Sequence, residues 1–495
     1  MTVLPPPIHW DHLLPLILVV GGAVLVLMWD AFSPSRERSF LVTLTLAVLA
    51  AALGATLSAR AVPGEAASFG GMYLFDGFTR FVFSLILFSS FFAVLLAAAQ
   101  RDLEGSPAGE YFGLILFATS GMMLMAATRS LLMIFVGLEI FSLSLYVLAG
   151  YLRTQLEGNE ASLKYFLLGS FASGFLLYGM ALIYGATGSI DLIEIAQRLQ
   201  AHPPSRSPAF LLGMGFVVVG LGFKVAAAPF YMWTPDVYEG SPTAVTAFMS
   251  VGPKVAAFAA FFRLLLSVSP QMGEGIPAVL WVMAALTMTV ANVVAIWQSN
   301  VKRMLAYSSI AHAGYLLVAL VAARGGGELA TGGFLYYMLV YTCMNMGAFC
   351  VVVVAGAGGG ERTRIDDYAG LAYTRPALAA AMAIFMISLT GLPPTGGFVA
   401  KFYVFSAAVK AGYVWLTVIA VLNSVVSVYY YLRLVVLMYM REPSEAEDRA
   451  VPQGRGRGWS YALAALVLAV AGTLNFGIFP SSFLEFALRS SVLLN

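Results

Sequence analysis

About fourteen runs of roughly twenty mostly apolar residues follow one another along this 495-residue chain, and that repetition decides what it can fold into. A helix rises 1.5 Å per residue, so about 20 residues cross a hydrocarbon core about 30 Å thick. The run centres fall near residues 22, 48, 87, 117, 141, 174, 221, 254, 287, 313, 342, 383–405 (one interrupted span), 426 and 469. Lipid offers no partner to a bare peptide group, which leaves helices or a closed barrel. The runs are too long and too little alternating for barrel strands. The sequence therefore predicts an all-α polytopic membrane protein. Composition agrees, with 60% hydrophobic and 11% charged residues, against about 25% charged in an ordinary soluble domain. A cytosolic globular protein, a disordered chain and a secreted disulfide scaffold are excluded.

The first basic residue, Arg36, follows the first run, so that run is expected to be retained rather than removed as a signal peptide. Thirteen Lys or Arg residues follow odd-numbered spans, among them Arg38, Arg153, Lys302, Arg303 and Arg362. Seven, among them Arg129, Arg324 and Lys410, lie on the other side. That excess predicts that the first group is cytoplasmic and both termini are outside. Expected segments are 1–105 (three helices), 106–268, 269–440, and 441–495 (a cytoplasmic loop and a last helix). The net charge of +2 offers no surface for nucleic acid. Cys343 and Cys350 share one apolar run and are read as packing residues. No G-x-G-x-x-G or P-loop is present, so no nucleotide, haem or cluster is expected on this chain, nor any metal.

The lysines carry most information. There are 21 arginines but six lysines, and four lysines fall within apolar runs: Lys164, Lys224, Lys254 and Lys401. A charge at the bilayer centre costs about 2.5–3.5 kcal/mol on insertion scales. Arginine does not release its proton in a protein, whereas a desolvated lysine can. Lysine at the most expensive depth points to groups that load and unload protons. Glu139 is the one carboxylate well inside an apolar run, and an opposite charge within about 4–6 Å would hold it and a lysine ionised together. The plainer reading of each is a structural ion pair or a snorkelling lysine, and it weighs most for Lys164, near the start of its span. His312 is central in its run and titrates near neutral pH when unperturbed. It reads equally well as a buried histidine satisfied by a hydroxyl. His9, His12 and His202 are expected in solvated loops.

Two spans carry breaks. In FKVAAAPFYMWTPD, Pro229 frees the carbonyl of Val225 five residues after Lys224. In SLTGLPPTGGFVAKF, Pro393 and Pro394 interrupt the chain shortly before Lys401, and Pro253 directly precedes Lys254. Irregular backbone at that depth is tolerated where it is buried in protein or lines a hydrated cavity. The two main breaks lie about 165 residues apart, as do, nearly, Glu139 and His312. Paired broken spans are the mark of an internal repeat with an ion path at its interface.

The segment GFKVAAAPFYMWTPDVYEGSPTAVTAFMSVGPKVAAF resembles one signature of the antiporter-like membrane subunits of respiratory complex I, the proton-translocating NADH–quinone oxidoreductase, and SLTGLPPTGGFVAKFYVF resembles a second. The likeness covers nearly the whole chain. Relatives include subunits of multisubunit sodium/proton antiporters and membrane-bound hydrogenases. The chain looks most like the subunit N branch, because its length leaves no room for subunit L's lateral helix and subunit M usually carries glutamate where Lys401 stands.

The resemblance implies two inverted five-helix repeats, each with a broken helix. It implies that Glu139 partners Lys224, that Lys254 is a central relay continued by His312, that Lys401 is the terminal proton site, and that Lys164 neighbours the first pair. It also implies a bacterial inner membrane, partner subunits of complex I, and FMN, iron–sulfur clusters and quinone held by those partners. Many members read Pro-Phe-His where this chain has Pro229-Phe230-Tyr231, which argues against a histidine beside the first break. Two rival readings remain: a cation/proton antiporter subunit working without NADH, and a structural subunit that holds its neighbours together.

Overall fold

The computed structural model describes residues 8–33, 38–59, 67–103, 105–201, 207–268, 275–356, 361–443 and 458–491. His202 lies outside them. Helices α1 (Trp10–Phe32), α2 (Arg38–Ser58), α3 (Gly77–Ala99), α4 (Ala108–Ala126), α5 (Leu131–Ala149) and α6 (Leu156–Thr187) come first. After the short α7 (Leu192–Ala201) come α8 (Pro208–Lys224), α9 (Thr234–Gly240), α10 (Thr243–Val268), α11 (Gly275–Ile296) and α12 (Val301–Gly356). The chain continues through α13 (Leu371–Thr374), α14 (Pro376–Thr390), α15 (Gly396–Lys410), α16 (Val414–Met440), α17 (Trp459–Ile478) and α18 (Ser481–Arg489). Between α2 and α3, β1 (Ala67–Ser68) and β2 (Tyr73–Leu74) pair antiparallel, with Ala67 opposite Leu74 and Ser68 opposite Tyr73.

Among the described residues, eleven helices are long and apolar enough to cross a membrane. One of them, α12, has 56 residues and is kinked at Gly327 (φ 53°, ψ −134°). Across that kink the Nδ1 of His312 meets the hydroxyl of Tyr337 at 2.6 Å. Twenty-five residues of straight helix would hold them about 37 Å apart, so the two limbs of α12 lie side by side. Helices α10 and α12 are buried along almost their whole length, whereas α1, α2, α16 and α17 bury one face and turn the other outward. A helix apolar all round belongs in a core, and an apolar outer face belongs against lipid. Pro253 does not interrupt α10, which runs unbroken from Thr243 to Val268.

Helices α4 and α5 approach closely through glycine. A Cβ on Gly121 would stand 2.6 Å from the Phe141 nitrogen, and one on Gly137 would stand 2.6 Å from the Met125 nitrogen. Small residues that let backbones meet are the usual device for joining helices in lipid. Here they fix the helix that carries Glu139.

Three side chains differ from the sequence expectation. His12 lies in α1, buried and stacked on Phe75 with ring centroids 5.0 Å apart, because the β1–β2 hairpin folds over the helix end. Lys302, expected as a loop cation, is buried and holds Glu361 at 2.8 Å and the Ser241 carbonyl at 2.7 Å. Arg263 lies inside α10 with no exposed surface, whereas the sequence marks only lysines as cations within apolar runs. It grips Asp76 with two bonds of 2.9 and 2.8 Å, and also binds Thr79 Oγ1 and the Ala126 carbonyl. The Lys302 pair gives a test. Glu361→Ala would leave a buried ammonium uncompensated, a loss of about 3 kcal/mol, to be read as a lower melting temperature of the purified protein.

Candidate functional site

Lys224 is the last residue of α8. The chain then leaves the helix: Ala226 takes φ +60°, and the Ala228–Pro229 peptide is cis. The freed backbone finds partners, with Ala227 N on Gly222 O at 2.8 Å and Ala228 N on Thr287 Oγ1 at 2.8 Å. The break is thus built into the packing. It points the buried Lys224 amine at α5, where Ser142 Oγ lies at 2.8 Å and Tyr146 OH at 3.3 Å. The rings of Phe141, Tyr146, Tyr165 and Phe223 stand with their centroids 5.2–5.8 Å from the amine.

Glu139, Ser142 and Tyr146 are spaced three and four residues apart, on one face of α5. The structure places no ion pair between Glu139 and Lys224. The amine rests on the two hydroxyls, and the buried Oε1 of Glu139 has no hydrogen-bond partner among the described residues. Sequence reasoning missed Ser142 and Tyr146, although their i+3 and i+7 spacing from Glu139 was a readable signal.

Lys254, buried in the middle of α10, donates to both the carbonyl and the hydroxyl of Ser309 on α12. His312 lies one turn further on. Its Nε2 is 3.3 Å from Tyr431 OH, which in turn bonds Ser308 Oγ, the neighbour of Ser309. Two hydrogen-bonded sets therefore meet at adjacent residues of α12, Lys254 on Ser309 and a run from Ser308 through Tyr431 and His312 to Tyr337. None of these hydroxyls was singled out in the sequence, since serines and tyrosines in apolar runs are common helix-packing residues.

Lys401 follows the second break. Helix α14 ends on Gly391 (φ +86°), Pro393–Pro394 is cis, and α15 begins at Gly396. The amine donates to the last carbonyls of α14, Leu389 O at 3.2 Å and Thr390 O at 2.7 Å, and lies 4.8 Å above the Tyr315 ring. Tyr315 packs edge-on against His312 at 5.6 Å, which brings the second break to the central cluster. Beside Lys401, between α15 and α16, is a cavity of about 640 Å³ walled by Leu392, Phe402, Phe405, Val421 and Val425. Gly391 is required twice over, since its φ is positive and a Cβ there would stand 2.8 Å from Lys401 Cδ. Gly391→Ala should therefore displace the amine and cost at least about 1 kcal/mol from φ alone. A lower melting temperature together with reduced transport would check it.

Lys164 is not part of these clusters. Its side chain is 41% exposed and holds Glu160 at 2.6 Å and Asp236 at 2.8 Å. Arg303 holds the other oxygen of Asp236 at 2.8 Å and Glu239 at 2.6 Å, and these groups ring a cleft of about 250 Å³.

One contrast organises the site. The deeply buried structural cations Arg263 and Lys302 each face a carboxylate. Lys224, Lys254 and Lys401 are just as buried and meet only hydroxyls, carbonyls and rings among the described residues. A carboxylate locks its partner's charge, whereas neutral acceptors let an amine gain or lose it at less cost.

Residues 128–427 match the family model described as NADH:quinone oxidoreductase/Mrp antiporter, transmembrane. NADH-quinone oxidoreductase subunit N of Trichlorobacter lovleyi is 48% identical over 476 residues, covering 95% of this chain and 94% of its own. Subunit N 1 of Solibacter usitatus is 45% identical, with 96% of each chain covered. Among solved structures, a chain of respiratory complex I from Thermus thermophilus with bound aureothin superposes with a TM-score of 0.78 at 36% identity, covering 96% of this chain and 99% of its own. A chain of the Mrp complex from Dietzia, 22% identical, shares the fold with a TM-score of 0.81, covering 98% and 97%.

Proposed function

This chain belongs to the NADH:quinone oxidoreductase/Mrp antiporter transmembrane family, and from that premise we propose that it is a proton-translocating membrane subunit, of the subunit N kind, in a bacterial NADH–quinone oxidoreductase. The observation that carries the reading is the set of three buried amines that have no carboxylate partner among the described residues. Each can change its proton occupancy with only hydroxyls and carbonyls to rearrange. Glu139, with an unbonded buried oxygen two turns from Tyr146, supplies the charge that biases Lys224. Lys254 exchanges with the Ser309–His312 cluster, and Lys401 ends the file. Lys164 acts in the salt-bridged cleft, with Asp236 and Arg303, rather than in the file itself.

Electron transfer belongs in this reading to partner subunits that hold FMN, iron–sulfur clusters and quinone. The fourteen-pass count and the inverted repeats, with segments 106–268 and 269–440 as the two halves, fit the two broken helices and the folded-back α12. The predicted orientation gains support from the salt-bridged cleft, because Lys164, Asp236 and Arg303 come from stretches after three odd-numbered spans and meet on one side. Both ends of the chain then face the periplasm.

The test is proton transport in vesicles carrying the assembled complex. Glu139→Gln or Lys224→Ala should impair NADH-driven proton uptake in a complex that still assembles. A mutant complex with the wild-type proton-to-electron ratio would sink the relay. Sodium/proton exchange by an assembly without NADH oxidation would favour the antiporter reading instead.

A further inference from the structure

The two histidines expected in loops at the start of the chain lead to a different site. In the sequence His9-Trp10-Asp11-His12, the ligand atoms of His9, Asp11 and His12 all lie within 4.8 Å of one another. The Nε2 of His12 is 3.7 Å from Asp11 Oδ2, and the two imidazoles pack with centroids 5.3 Å apart. We propose that these three residues form a binding site for one borderline divalent cation of the zinc class. The site shares no residue with the proton file.

The donor set suits that class, because imidazole nitrogens with one carboxylate favour zinc and its neighbours over calcium or magnesium. Zinc bound at about 2.0–2.2 Å in tetrahedral geometry places its ligands a little over 3 Å apart. The His12–Asp11 separation is already close to that. The remaining gap closes by rotation of Asp11, which is 64% exposed, and of the half-buried His9.

His12 is the fixed member. Its ring is buried and stacked on Phe75 at an interplanar angle of 20°, and its carbonyl accepts from Tyr73 OH at 2.8 Å. His9 is held by its backbone nitrogen, which lies 3.2 Å from Ser68 Oγ. Both tethers come from the β1–β2 hairpin, so a bound cation would pin that hairpin to the end of α1. Three protein ligands leave a fourth position for water. Asp11 in the first helical turn also offsets the positive end of the helix dipole, which would otherwise repel a cation.

The experiment uses the purified, assembled complex after chelator treatment, titrated with Co2+ as a spectroscopic stand-in for zinc. Wild-type protein should bind one more Co2+ per chain than the His9→Ala variant, with the visible absorption of a four-coordinate ion, and zinc should displace it. Asp11→Asn, at an exposed position that leaves packing intact, should weaken that binding at least about tenfold, since loss even of a group that only orients a ligand costs about 10–100-fold. Titrations of wild type, His9→Ala and Asp11→Asn that superpose would overturn the site and mark any bound metal as adventitious.

Discussion

Lys401→Arg should stop this chain's share of NADH-driven proton transport while leaving the complex assembled. The substitution keeps a positive charge and donors able to reach the carbonyls of Leu389 and Thr390, which now accept from the lysine. It removes the ability to release a proton, since guanidinium does not deprotonate in proteins. A structural role for Lys401 would tolerate the exchange. A proton-carrying role would not, and the expected loss is about 100-fold, the scale of removing one positioned proton-transfer group. The measurement is the number of protons taken up per electron pair in vesicles, with NADH oxidation and subunit content followed in parallel. Wild-type proton uptake in Lys401→Arg would remove the last step of the proposed file.

Asp76→Ala should produce the largest loss of stability. Asp76 caps α3 by accepting from Thr79 N at 2.7 Å, and it also neutralises Arg263 in the core of α10. Removing it leaves a buried guanidinium hydrogen-bonded, among the described residues, only to Thr79 Oγ1 and the Ala126 carbonyl, a cost of about 3–5 kcal/mol, with about 1 kcal/mol more for the lost cap. The double variant Asp76→Ala with Arg263→Met should recover most of the difference, because an apolar replacement of a whole buried pair is far milder than removal of one member. Thermal unfolding of both variants in detergent checks this, and equal melting temperatures would refute it.

The same pair has a pH signature. Burial alone would raise the Asp76 carboxyl, but the Arg263 guanidinium and the Thr79 donors outweigh it and hold the group below its usual range. Its contribution is therefore complete above the unfolded carboxylate value of about 4 and is lost as pH falls through the lower folded value. Asp76→Ala should flatten the acid limb of the stability profile.

The helical membrane architecture, both broken helices and the depth of Lys224, Lys254 and Lys401 were legible in the sequence, because run length, proline and lysine each act locally. What a side chain touches is not local. Lys302 read as a loop cation because Glu361, which buries its charge, lies 59 residues away. Arg263 carries no local mark for the same reason, as Asp76 stands 187 residues before it. His12 looked solvated until the β1–β2 hairpin closed over it. Ser309 and Tyr431 carry no sequence mark that separates a hydroxyl on a relay from one satisfied by its own helix.

One limb of α12 carries both Arg303, tied to Asp236 and Glu239, and Ser309, tied to Lys254. Six residues of unbroken helix separate them by about 9 Å. Such a segment is stiffer along its axis than a loop of the same length, because each peptide group is tied to the next turn. The salt cluster and the interior amine are therefore fastened to a single lever, and neither can shift its footing without the other registering the strain.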